Sequence, residues 1–182
     1  MVNGAGETLD RWAGYEKKYF IETLDDAMTD LSTIEDKLAS YEKKPTARIA
    51  EVLGRYSSSL DEYVNAVNYY GTAQKIKDMP SDDYTYEIFK NTSYGLEGEH
   101  FTFEDVLAAA ENVVNSQNAE PENVVRTAIS VTRMANKNDR LDIIGPYIET
   151  GLKITSQTDD PEAKDAYNQL MVEKSLHITG DK

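Results

Sequence analysis

The apolar residues between positions 20 and 70 recur at helical spacing and form two matching series. These are Phe20, Leu24, Ala27, Leu31, Ile34, Leu38 and Tyr41, then Ile49, Leu53, Tyr56, Leu60, Tyr63, Val67 and Tyr70. Both series have the heptad spacing of a helix that packs lengthwise against another helix. Residues 42–46 separate them, so the pattern predicts a long antiparallel helical hairpin, similar to a coiled coil, over residues 8–78. Leu31 should face Leu60 near its middle.

The apolar stripe of this hairpin is wider than a two-stranded coiled coil needs. Ile21 and Met28 lie beside the first series, and Val52 and Val64 lie beside the second. A stripe this wide indicates contact with more than one helix, so we expect the hairpin to share one core with the rest of the chain. The same seam can also pair between two chains, which makes a homodimer an alternative.

The rest of the chain also has helical rather than strand periodicity. Residues 1–7 contain two glycines and no apolar pattern, which predicts a disordered tail. Residues 81–182 carry four or five shorter apolar repeats at helical spacing, and no run alternates long enough for a strand pair. The predicted fold is therefore all-α, with the hairpin packed against a C-terminal array of four or five shorter helices.

Several helix boundaries in the C-terminal part have recognisable signals. Thr102 and Asp105 have the spacing of a capping box, and Pro121 and Pro161 are suited to the first position of a helix. Residues 91–100 contain two glycines and are predicted to form a loop after a short helix.

Composition excludes several kinds of site and favours an intracellular protein. The chain has no cysteine, which excludes disulfides, zinc–thiolate sites and cysteine nucleophiles. It has no secretory signal and no apolar run long enough to span a membrane, so we expect a soluble cytoplasmic protein. The net charge of −14 disfavours direct binding of nucleic acid or of an anionic membrane.

Residues that could support metal binding or catalysis are few. Glu97 and His100 have Glu-x-x-His spacing, but two nearby glycines argue against a shared helix face. Glu173 and His177 could share a face of the last helix. A di-metal site needs more ligands than these, and no phosphate-binding loop or nucleophile motif occurs. No catalytic residue, metal ligand or cofactor is therefore assigned.

Tyrosines and clustered carboxylates are the candidate partner-binding residues. The chain has 12 tyrosines, and tyrosine is enriched where proteins meet. Residues 81–118 hold eight acidic residues and one lysine, a net of −7 and thus half of the total charge. Such a segment suits a basic partner, including one that binds nucleic acid. The assigned candidates are Tyr69, Tyr70, Glu97, Glu99, Glu104 and Asp105.

These observations favour a non-catalytic helical protein-interaction module, acting as a subunit, adaptor or inhibitor of a larger assembly. Two alternatives stay open. The first is an acidic nucleic-acid mimic that inhibits a DNA- or RNA-handling enzyme. The second is a helical-bundle enzyme or metal carrier.

Overall fold

The computed structural model describes residues 1–11, 17–159 and 161–177, without the side chains of residues 17–19, 22, 26, 27, 162–165, 167 and 177. This part of the chain contains helices and no strand, which confirms the all-α prediction. No described helix has both the length and the apolar character needed to cross a lipid bilayer. The helices are α1 (Lys17–Thr29), α2 (Ile34–Lys43), α3 (Ala47–Ser58), α4 (Tyr63–Ile76), α5 (Thr85–Glu97), α6 (Phe103–Asn115), α7 (Pro121–Lys137), α8 (Ile144–Gln157) and α9 (Pro161–His177).

The chain divides into two compact units, an N-terminal unit of Met1–Gly95 and a C-terminal unit of Leu96–Lys182. The sequence pattern predicts the boundary between the N-terminal and C-terminal parts near residue 80. Most of α5 belongs to the N-terminal unit because aromatic and polar contacts hold it there. The Tyr84 backbone N–H donates to the side chain of Gln74 at 2.8 Å, and the Tyr94 ring centroid lies 5.8 Å from that of Tyr63. That the two parts share one core stays a prediction.

The long first helix predicted by the heptad seam is wrong, because the chain breaks between α1 and α2. Thr33 starts a new helix with a complete capping box. Its hydroxyl accepts from the Asp36 backbone N–H at 3.2 Å, and the Asp36 carboxylate accepts from the Thr33 backbone N–H at 3.0 Å. The box satisfies backbone N–H groups at the start of α2 that would lack a partner once the helix is interrupted. It therefore stabilises the break between α1 and α2.

The predicted second long helix is also divided, into α3 and α4. The turn between them places Asp61 at φ 60°, in the left-handed region, and the Glu62 N–H donates to the Ser57 carbonyl at 3.0 Å. The chain therefore reverses after Ser58, and α3 packs against α4. The predicted break at residues 42–46 does occur, between α2 and α3, and Thr46 caps α3. The long hairpin is thus replaced by a succession of shorter helices.

The predicted contact between Leu31 and Leu60 in a buried seam is wrong. The Leu31 side chain is 69% exposed, and Leu60 lies in the turn between α3 and α4. Leu31 itself lies in the irregular segment between α1 and α2, so it does not continue the face of either helix into a core.

The first residues of the chain form a hydrogen-bonded turn where the sequence predicts a disordered tail. The Asn3 side-chain carbonyl accepts from the backbone N–H groups of Ala5 and Glu7 at 2.9 and 3.0 Å. An isolated bridge joins Val2 and Thr8, and the Ile34 N–H donates to the Thr8 carbonyl at 2.9 Å. The turn is therefore attached to the start of α2.

Each unit has its own apolar cluster. In the N-terminal unit the centre of the cluster is formed by Ile34 of α2 with Val52 and Leu53 of α3. In the C-terminal unit α7 contacts α6, α8 and α9, and its inward side chains meet those of α9. The buried members of this second cluster are Val125, Ala128, Ile129, Ala166 and Leu170.

Helix α5 extends further than predicted, to Glu97, so the predicted loop over residues 91–100 is wrong for its first seven residues. Gly95 lies within the helix and is buried. A glycine costs only about 1 kcal/mol in a helix interior, and packing readily exceeds that cost. The capping box at Thr102 and the helix starts at Pro121 and Pro161 are confirmed.

Candidate interaction surface

A buried charge cluster connects the N-terminal turn to α3. The Arg55 guanidinium donates to the Asp10 carboxylate at 2.8 Å through Nη2, and to the Glu51 carboxylate at 3.2 Å through Nη1. Arg55 and Asp10 are both buried, and Glu51 also accepts from the Tyr84 hydroxyl at 3.4 Å. Burial alone would lower the pKa of Arg55, but the hydrogen bond and charge of Asp10 raise it overall. The arginine stays charged and fastens the chain, so its role is structural.

Tyr70, a predicted partner-binding residue, lies beside this cluster and is buried. Its ring stacks on that of Tyr84 at a centroid distance of 6.4 Å. The ring also lies against Gly54, where an added Cβ would come within 3.0 Å of Tyr70 Cδ2. Burial raises the pKa of Tyr70 well above its ordinary value. Because its ring is enclosed, Tyr70 offers little surface to a partner.

Tyr69, the neighbouring candidate, is half-buried at the edge of the N-terminal cluster. Its ring meets the ring of Tyr41 edge to face, with centroids 5.0 Å apart. The Tyr41 hydroxyl in turn donates to the Thr72 hydroxyl at 2.9 Å. Tyr69 thus packs in the core while keeping part of its surface accessible, and its role in binding stays a prediction.

The four predicted acidic candidates belong to the C-terminal unit, whereas both tyrosines belong to the N-terminal unit. Asp105 completes a capping box with Thr102, and this hydrogen bonding lowers the pKa of Asp105. Glu104 accepts from Arg140 at 3.2 Å. Glu97 and Glu99 are exposed. Two of the four carboxylates therefore make local contacts. That the acidic segment mimics nucleic acid stays a hypothesis.

The candidate metal ligands do not gather into a site in the described structure. Glu97 ends α5 and His100 lies beyond it. Glu173 accepts from Arg133 Nε at 2.7 Å, while the side chain of His177 lies outside the described residues. No group of three or more His, Asp or Glu side chains suited to holding a metal ion occurs among the described residues.

The feature that the sequence did not predict is an exposed apolar face along α1. It consists of Ile21, Leu24 and Met28 with Leu31 just beyond the helix, and we call these four residues the α1 face. They are 46%, 42%, 71% and 69% exposed, respectively. They are spaced three, four and three residues apart, so the three helical members share one side of α1. The seam had assigned the same region to a buried core.

Comparison with family models, curated proteins and solved structures finds no match for this chain.

Proposed function

We propose that this protein is a non-catalytic helical interaction module that binds another protein through the α1 face. The observation that carries the proposal is the exposure of Ile21, Leu24 and Met28 on one side of α1, together with that of Leu31 just beyond the helix. Isolated apolar residues are common on protein surfaces, but a contiguous line of large ones typically belongs to an interaction site. Burying such side chains under a partner removes apolar area from water at about 25 cal/mol per Å².

The break between α1 and α2 supports this role. The Thr33 capping box starts α2 independently of α1, so α2 does not need α1 to continue it. Ile34, at the start of α2, is buried in the N-terminal cluster, whereas Leu31, three residues earlier, is exposed. The heptad series therefore changes from exposed to buried between Leu31 and Ile34, although Leu38, further along α2, is again 37% exposed. The part before the cap is available to another molecule.

Paired substitutions with a matched control test this proposal in the native host. Met28→Ser with Leu31→Ser removes two apolar side chains from the α1 face. Val172→Ser with Leu176→Ser removes two from α9, where they are 56% and 63% exposed. The measurement is the size of the tagged full chain in native extracts by gel filtration, with the co-purifying protein quantified.

We expect the wild type and the α9 variant to elute in a complex larger than the 20.4 kDa chain, and the α1 variant to elute free. Circular dichroism should show unchanged helicity, because the replaced side chains are exposed. A wild type that elutes free, or an α1 variant that stays in the complex, would show that the proposal is wrong.

A further inference from the structure

The charged residues within and just after the α1 face are acidic, whereas Lys17 and Lys18 precede the face at the start of α1. Between Ile21 and Asp36 the sequence contains six acidic residues and no lysine or arginine. Asp25, Asp30 and Glu35 are exposed. The six acidic residues are Glu22, Asp25, Asp26, Asp30, Glu35 and Asp36.

The first cation after this stretch, Lys37, pairs with one of the six carboxylates, that of Asp30. Lys37 is buried, and its ammonium group lies 3.3 Å from the Asp30 carboxylate and 2.5 Å from the Ser32 carbonyl. That ammonium group is therefore turned towards its own chain. An apolar line with an acidic border results.

We infer that the α1 face binds a basic amphipathic helix of another protein, an inference that rests on the proposed function. Helical partners present apolar residues at steps of three and four, and the α1 face has the same spacing. Lysine or arginine beside those positions would meet the acidic border, as opposite charges do at the edges of coiled coils. The face extends over about ten residues, so roughly three turns of a partner helix would cover it.

Charge also decides between this partner and two others. A second copy of the chain would bring the same acidic border towards itself, and like charges across an interface are unfavourable. An anionic lipid surface would repel the border, because such surfaces attract lysine and arginine. A basic helix is the occupant that both the apolar spacing and the charge favour.

Three synthetic peptides of about 18 residues, roughly five helical turns, test the inference against the full chain. The first has leucine at heptad a and d positions and lysine elsewhere. The second replaces every lysine with glutamate. The third has the composition of the first in an order without the heptad. Fluorescence anisotropy of labelled peptides gives the three affinities.

We expect the leucine–lysine peptide to bind at least about tenfold more tightly than either of the others, a difference that only a combined apolar and charged surface produces. Met28→Ser with Leu31→Ser should weaken its binding about tenfold, and Val172→Ser with Leu176→Ser should not. If the reordered peptide binds as tightly as the leucine–lysine peptide, charge alone explains the attraction. If the glutamate peptide binds as tightly, the charge assignment is wrong. Either result overturns the inference.

The border is tested by removing charge without removing apolar surface. Asp25→Asn with Glu35→Gln should weaken the binding of the leucine–lysine peptide several-fold at low salt and by a smaller factor at high salt. Glu111→Gln with Glu149→Gln removes two exposed carboxylates of the C-terminal unit and is the matched control. An equal loss in both variants would overturn the inference, because general acidity would then explain the binding.

Two further outcomes separate this inference from the proposed function. If sedimentation shows a dimer of the free chain that Met28→Ser with Leu31→Ser abolishes, the occupant is a second copy and the inference fails. If no peptide binds but the native complex still depends on the α1 face, the basic-helix inference fails and the proposed function stands. If the native complex does not depend on the α1 face, the proposed function itself fails.

Discussion

At the scale of single residues, the space around each helical glycine determines whether the N-terminal unit tolerates a larger residue there. Gly54 in α3 and Gly71 in α4 are both helical, and sequence alone assigns them the same cost. Their surroundings differ. A Cβ at Gly54 would lie 3.0 Å from two atoms of the buried Tyr70 ring, whereas a Cβ at Gly71 would meet nothing within 4 Å.

Alanine at these two positions should therefore have opposite effects. Gly54→Ala should destabilise the protein by about 1–2 kcal/mol, because overpacking against a buried ring exceeds the gain in helix propensity. Gly71→Ala should stabilise the protein by up to about 1 kcal/mol, since the gain in helix propensity is not offset by a steric clash there. Urea unfolding followed by circular dichroism measures both. Stabilisation by Gly54→Ala would mean that the Tyr70 ring can move.

At the scale of helices, local signals predicted the ends better than the apolar pattern predicted the lengths. The Thr-x-x-Asp spacing that correctly starts α6 at Thr102 also occurs at Thr33, where it starts α2. The apolar series continues in phase across Thr33, so periodicity alone favoured one long helix. The signal for the break was present in the sequence, and the stronger periodic pattern obscured it.

The contact that holds the N-terminal turn on α3 was not predictable in the same way. Asp10 and Arg55 are 45 residues apart, and an aspartate near a helix start ordinarily suggests a cap. Only the fold brings the two charges together in a buried position. Once buried, each needs the other, because an unpaired buried charge is costly.

Breaking that pair should therefore cost more than breaking an exposed pair. Asp10→Asn keeps the shape but removes the charge opposite Arg55, and we expect a loss of about 3 kcal/mol in the free energy of unfolding. Asp10→Asn combined with Arg55→Met should recover part of it, since neither buried charge remains. The control is Asp142→Asn, which removes one of two exposed partners of Arg140 and should change stability little.

Chemical unfolding of Asp10→Asn, of Arg55→Met and of the variant with both substitutions gives the coupling energy between positions 10 and 55. A loss in Asp10→Asn no larger than that of Asp142→Asn would show that water or Glu51 compensates Arg55 fully. Glu51 accepts from Arg55 Nη1, so it would be the first residue to replace next.

At the scale of the whole molecule, the sequence predicted the fold class but not the exposure of the α1 face. Leu24 and Leu31 belong to a seam typical of helix packing, and hydrophobicity alone cannot distinguish a seam that faces its own chain from one that faces a partner. The structure leaves both side chains exposed. Tyr70, chosen from sequence for its residue type, is instead buried.

The acidic candidates illustrate how net charge and local contacts act together. A net charge of −14 destabilises a compact chain through self-repulsion. Glu97 is the last residue of α5, where the helix dipole also disfavours negative charge. Glu104 and Asp105, by contrast, lie at the start of α6, with Arg140 and Thr102 as their respective partners.

Neutralising the two pairs should therefore shift the melting temperature in opposite directions. Glu97→Gln with Glu99→Gln reduces the net charge from −14 to −12 and should raise the melting temperature at low salt. The rise should shrink as the Debye length falls from about 30 Å at 0.01 M to about 8 Å at 0.15 M. Glu104→Gln with Asp105→Asn removes the same charge and should still lower the melting temperature at both salt concentrations, because it also removes an ion pair and weakens the capping box with Thr102. Thermal unfolding of both variants at the two concentrations checks the comparison. A lower melting temperature for Glu97→Gln with Glu99→Gln would mean that these exposed carboxylates make stabilising contacts of their own, and the repulsion argument would fail for that end of α5.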